Sequence, residues 1–223
     1  MRTRTLIEAE RIFEAREALA ASLARDVADE LARAIEARGK ATLAVSGGAT
    51  PTLFFEKLSE IGIAWSRVSV TLVDERQVPE SSERSNARLV RRHLLRNKAA
   101  AARFVPLVDN PDAAKLPAFD VAVLGMGNDG HTASFFPGGD TLAEAIDAGT
   151  SKRLIAISAP GADEPRLTFT LPVLESAGRL ALHIEGAQKK QVLKQALAEG
   201  PEEDMPVRAV LRGAAPVTLY WCP

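Results

Sequence analysis

The sequence predicts an α/β protein, a single domain over residues 1–223 built on a mostly parallel twisted sheet with helices on both faces. Short apolar, β-branched runs alternate along the chain with longer segments of helical periodicity. Each run ends at a glycine or a charged cluster that gives way to the next helix, the pattern of parallel strands joined by crossovers. With 46% hydrophobic residues, a chain of 223 can bury a substantial core, and no linker or internal repeat divides it.

The first helix is predicted from about Phe13 to Arg38. Leu19, Leu23, Val27, Leu31 and Ile35 recur every fourth residue as one apolar stripe, with charged residues around it, and Gly39 supplies the stop. Thr42–Val45 is a short strand ending in Ser46-Gly47-Gly48-Ala49-Thr50-Pro51. Pro51 suits the first position of the next helix and Thr50 its N-cap, with Leu53, Phe54 and Leu58 following. This turn reads equally as an ordinary strand-to-helix connection or as an anion cradle at a positive helix end.

Val68–Val73 is the next strand, ending at Asp74-Glu75-Arg76; Ser85 then caps a helix carrying Leu89, Val90, Leu94 and Leu95. His93, among Arg91, Arg92 and Arg96, reads as a solvated helix residue. Pro106, Pro111 and Pro117 mark an irregular connection into the central strand, Phe119–Leu124. That strand runs into Gly125-Met126-Gly127-Asn128-Asp129-Gly130-His131-Thr132-Ala133-Ser134, where glycines admit sharp turns and close approach of a ligand. A loop at a strand's C-terminal end is where open α/β sheets place ligands, and this one holds a carboxylate and an imidazole. Its other reading is a tight turn with a solvated Asp and His.

Leu142–Ile146 is a short helix and Leu154–Ile157 a strand. Arg179–Ile184 is another strand, in which His183 alternates with Leu182 and Ile184 and reads as structural. A helix from Ala187 turns Val192, Leu193 and Leu197 inward, Pro206 opens a last short helix, and Val217–Trp221 closes the chain as a strand.

Composition narrows the partners. Lys plus Arg number 28 against 29 Asp plus Glu, so no strong field for nucleic acid or an anionic membrane surface is expected. The single cysteine, Cys222, excludes an intrachain disulfide or a Cys-rich zinc site, and the 3 histidines are not at ligand spacing. No apolar run reaches the roughly 18–20 residues of a membrane span. Glu8, Glu10, Glu14 and Glu17 interrupt any signal-peptide core after Met1-Arg2-Thr3-Arg4-Thr5, so a cytoplasmic protein is expected.

Four parts of the chain, taken together, resemble the 6-phosphogluconolactonases, enzymes of the pentose phosphate pathway related to the glucosamine-6-phosphate deaminases. They are Ser46–Pro51, Asp74-Glu75-Arg76, Gly125–Ser134, and the pair Arg166-Leu167-Thr168 with Gly186-Ala187-Gln188-Lys189. The family often has a Trp after Asp-Glu-Arg, where this chain has Gln77. Deaminase relatives carry a proton-relaying glutamate just before Pro-Gly in the histidine loop, and the matching position here is Phe136. That substitution favours the lactonase reading over the deaminase one. A non-catalytic sugar-phosphate sensor remains the reading from another class.

The resemblance implies a six-carbon phosphorylated δ-lactone as substrate, with no metal and no cofactor, and an enzyme that is a monomer or small homo-oligomer. It places the phosphate on Arg166 and Lys189, with Ser46, Gly47, Gly48 and Thr50 as further donors and Asp74, Gly127 and Asn128 lining the pocket. His131 is then the general base that activates water, imidazole being suited to base catalysis near neutral pH. Asp129 orients it and Arg76 faces the developing oxyanion. No Gly-x-Ser-x-Gly elbow surrounds Ser46 or Ser134, which argues against an acyl-enzyme.

Overall fold

The computed structural model describes residues 7–223; the chain's opening residues, including Met1-Arg2-Thr3-Arg4-Thr5, lie outside the described part. It contains a parallel sheet of β1 (Ile7–Ile12), β10 (Val217–Cys222), β9 (Arg179–Glu185), β6 (Val121–Leu124), β2 (Ala41–Val45), β3 (Val68–Leu72) and β5 (Arg103–Val105), in that spatial order. All six neighbouring pairs are parallel, as the alternating pattern predicts. β2 and β6 lie side by side at the centre, and the chain winds outward from them in opposite directions. Right-handed crossovers then put α1 (Arg16–Arg38), α2 (Thr52–Ser59) and α3 (Asn86–His93) on one face. They put α5 (Leu171–Glu175), α6 (Ala187–Leu197) and α7 (Val207–Leu211) on the other.

Hydrophobic periodicity explains most of the elements. Leu19, Leu23, Val27 and Leu31 of α1 are buried as one stripe, and Gly39, at φ 74°, ends the helix by donating to the Ile35 carbonyl. Strands β2 and β6 are buried at every position, which is why they read as unbroken apolar runs. Trp65, Phe54, Phe55, Phe119, Phe135, Phe169 and Tyr220 fill the core. Among the described residues no helix is long and apolar enough to cross a membrane.

Local departures from the sequence reading have physical causes. α1 begins at Arg16, because the residues before it form edge strand β1, whose charged, mostly exposed side chains hide its strand character. Phe13 is held instead by its backbone bond to Trp221 and by stacking on Tyr220. α2 starts at Thr52 with Pro51 in the cap position and no side-chain cap, so Thr50 is not the N-cap. β5 ends just before Pro106, in a stretch assigned no element from the sequence, and His93 is half-buried, bonded to Glu56 of α2 at 3.0 Å. The predicted strand at residues 154–157 forms, but outside the main sheet. As β7 (Leu154–Ile157) it joins β8 (Arg166–Phe169) and β4 (Asp74–Arg76) in a small antiparallel sheet. α4 (Leu142–Ala145) lies in the connection from β6.

Candidate active site

The C-terminal ends of β2 and β6 meet at the switch in winding direction, where their loops part to opposite faces. Ser46 N–H donates to the Val123 carbonyl at 2.9 Å, fixing the two loop starts together. A cleft of about 290 Å³ opens above them. Ser46, Gly47, Gly48, Thr50, Asp74, Arg76, Gly127, His131, Arg166 and Lys189 all line it. Asn128 and Asp129 are exposed residues of the same loop outside this lining.

Asp129 contacts His131, which lines the cleft. Its Oδ1 lies 2.6 Å from His131 Nδ1 and also accepts the His131 backbone N–H at 3.2 Å. A carboxylate only accepts, so Nδ1 carries the proton and Nε2 is left as the other ring nitrogen. Burial alone would raise the Asp129 carboxyl, but the hydrogen bond and charge of His131 outweigh it and hold it at about 2. Gly127 leaves room for this pair: a Cβ there would lie 2.1 Å from His131 Nδ1 and 2.3 Å from Asp129 Oδ1. The Phe136 ring lies against the imidazole at 4.2 Å between centroids.

Asp74-Glu75-Arg76 forms β4, and its three charges have different surroundings. Asp74 is buried and accepts from Ser134 Oγ at 2.5 Å, which engages that serine with a carboxylate and not with an imidazole. Glu75 points away into the start of α3, accepting from the N–H groups of Asn86 and Ala87 and from Ser85 Oγ. Burial pushes its carboxyl up, while these bonds pull the other way. Arg76 donates to Asn86 Oδ1 at 2.6 Å, and Asn86 Nδ2 donates to the Asp74 carbonyl at 3.0 Å. Gly47 passes so close to this amide that a Cβ would sit 1.9 Å from Asn86 Oδ1.

Arg166 is the direct antiparallel partner of Arg76 and is buried. Its guanidinium has no hydrogen bond or ion pair among the described residues; its Nε is buried without a partner and its carbon lies 5.3 Å from the Phe136 ring centre. Burial lowers its proton affinity, Arg76 adds to that, and Asp74 opposes it. Gln77 ties the strands together, donating through Nε2 to the Arg166 carbonyl at 3.1 Å.

The family model described as glucosamine-6-phosphate isomerases/6-phosphogluconolactonase matches residues 14–221. A 6-phosphogluconolactonase of Rhizobium meliloti (strain 1021) is 55% identical over 226 residues, covering 95% of this chain and 97% of that protein. The chain belongs to the 6-phosphogluconolactonase family. A Pseudomonas aeruginosa member is 46% identical, with 92% of this chain and 90% of that protein covered. The crystal structure of a 6-phosphogluconolactonase from Shewanella baltica OS155 superposes with a TM-score of 0.93 at 40% identity, covering 99% of this chain and 100% of that one.

Two further groups complete this family member's cleft. Lys189, in the first turn of α6, reaches back to the Met126 carbonyl at 2.6 Å; burial lowers its proton affinity and Asp129 opposes the shift. At the end of β9, His183 Nε2 lies 3.1 Å from Glu185 Oε1, and Arg16 donates to Glu185 Oε2 at 2.5 Å. Burial would raise the Glu185 carboxyl, but His183 and Arg16 bring it below the usual range. In the sequence Asn86 and Glu185 carry no sign of a role, His183 reads as structural, and Ser134 reads as a serine without a nucleophile elbow. The alternation that marks His183 as buried carries no sign that it also lines the cleft.

Proposed function

We propose that this protein hydrolyses 6-phospho-D-glucono-1,5-lactone to 6-phosphogluconate, the lactone-opening step of the oxidative pentose phosphate pathway. The observation that carries the reading is the His131–Asp129 pair at 2.6 Å, beside a cleft that also presents Arg76, Arg166 and Lys189. In this mechanism His131 Nε2 takes a proton from water as its oxygen bonds to the lactone carbonyl carbon. Asp129 keeps the ring in the required tautomer and stabilises the imidazolium. The tetrahedral oxyanion then collapses, the bond from that carbon to the ring oxygen breaks, and the imidazolium returns its proton to the leaving oxygen.

Arg166 and Lys189 hold the phosphate, helped by the Ser46–Thr50 turn at the start of α2. The support is that Arg166 is a buried cation without a hydrogen-bonded carboxylate among the described residues, which suits an incoming dianion. Arg76 supplies positive potential from the same wall to the developing oxyanion. Ser134 does not serve as a nucleophile in this reading, since its hydroxyl is committed to Asp74. Phe136 stands where deaminase chemistry would place a proton-relaying glutamate, and a phenyl ring cannot carry protons.

The test is hydrolysis of freshly prepared 6-phosphoglucono-δ-lactone, corrected for spontaneous opening and compared with unphosphorylated gluconolactone. Each charge-assisted hydrogen bond is worth roughly 1.5–3 kcal/mol, so the phosphorylated lactone should be preferred by orders of magnitude in kcat/KM. Binding without turnover would identify a sensor instead.

A further inference from the structure

We propose that His183 is a substrate-positioning residue, its Nδ1 accepting a hydrogen bond from one hydroxyl of the bound sugar. The inference rests on the lactonase reading above and adds a determinant of which sugar the cleft accepts.

The ring is 2% exposed and lines the cleft. Its Nε2 is engaged by Glu185, and Arg16 holds that carboxylate from behind. Because the carboxylate can only accept, Nε2 carries the proton and Nδ1 of the neutral ring is an acceptor. Nδ1 has no hydrogen bond among the described residues. The ring cannot swing freely, since Phe54 of α2 meets it edge-on with centroids 6.3 Å apart.

The surrounding chemistry says what Nδ1 would accept from. The groups assigned to substrate are mostly donors: Arg76, Arg166, Lys189 and the N–H groups of the glycine turn. A polyhydroxylated sugar also needs acceptors. Of the lining acceptors, Asp74 Oδ2 and Asn86 Oδ1 are engaged with Ser134 and Arg76, and Glu185 with His183 and Arg16. With Glu185 on Nε2, Nδ1 of the neutral ring is an acceptor without a protein partner among the described residues. It stands apart from His131, in which the carboxylate engages Nδ1 and leaves Nε2.

The test compares parent and His183→Phe on the phospholactone and on analogues lacking the 2-, 3- or 4-hydroxyl. A buried polar group left unpaired costs roughly 1–3 kcal/mol, about 5–150-fold. The parent should disfavour one of the deoxy analogues by a factor in that range, mainly in KM. In His183→Phe that discrimination should vanish, while inhibition by inorganic phosphate stays as in the parent. A folded variant that keeps the parent's discrimination, or loses affinity for every analogue and for phosphate alike, overturns the assignment. Should His183→Phe not fold, ring-nitrogen NMR of the parent decides, the 3 histidines being assigned through His93 and His131 variants. Saturation with 6-phosphogluconate should shift the His183 Nδ1 resonance, and an unmoved resonance overturns the proposal. A parent that neither turns over the lactone nor binds 6-phosphogluconate would instead remove the functional reading beneath it.

Discussion

Arg76 and Arg166 are directly opposed in the antiparallel pairing of β4 with β8, so two guanidinium groups enter the cleft from one wall. Like charges directly opposite each other in a strand pair are destabilising, and burial of Arg166 adds to the cost. Among the nearby carboxylates, Asp74 offsets part of that repulsion. Such a pair is tolerated where an anion is to be bound.

Replacing Arg166 by Met should therefore separate affinity from stability. KM for the phospholactone should rise by about 10–100-fold, from loss of a charge-assisted bond of roughly 1.5–3 kcal/mol, with a smaller change in kcat. The melting temperature without ligand should hold or rise, because a repelling, desolvated charge has been removed. Steady-state kinetics beside thermal melts checks both. An unchanged KM would take Arg166 out of the phosphate site.

His131→Ala should lower kcat by about 10²–10⁴-fold, the usual contribution of general base catalysis, with little change in KM. Gly127→Ala is the more discriminating partner experiment. Its methyl would occupy the space of His131 Nδ1 and Asp129 Oδ1, both side-chain atoms that can move aside without unfolding the loop. A folded Gly127→Ala protein with a comparable kcat loss is expected. Normal turnover from a folded variant would mean that the pairing of Asp129 with His131 is not needed.

The Asp129 carboxyl, moved from 3.8 to about 2, links this pair to acid stability. Its folded value is depressed, so in this window the unfolded chain binds more protons than the folded one. The stabilisation is present above 3.8 and is lost as pH falls through about 2. Solvent exposure of the pair keeps the effect small. Melting parent and Asp129→Asn between pH 5 and pH 2 should show the gap between them narrowing toward the acid end. A gap that is constant across the range would contradict the shift.

Phe136 packs on His131 and lies under Arg166, leaving no proton carrier at that position. No ammonia should be released from glucosamine 6-phosphate under conditions where the lactone turns over. Phe136→Glu alone should not install that activity, and it should weaken lactone turnover by placing a carboxylate between the imidazole and a buried guanidinium. Stoichiometric ammonia from the parent would reverse the choice between lactonase and deaminase.

The sequence by itself determined the frame and one side-chain pair of the candidate site. Apolar runs such as Val121–Leu124 and the stripe on α1 fix strand and helix because burial on a given face imposes a period that the residues must display. His131 and Asp129 were legible as a pair because they are two residues apart in one glycine loop, so local geometry already brings them together. Other features depend on contacts between distant segments and leave no local pattern. Edge strand β1 needs only one neighbour, β10, and can carry charges that mask it. The opposition of Arg76 to Arg166 arises from a pairing 90 residues apart, and Asn86 joins the site only because α3 is docked on Glu75. His183 shows the same limit within a single strand. Period-two alternation says which face a side chain takes, but whether that face meets packed core or a ligand cleft is decided by where α1 and α2 come to rest against it.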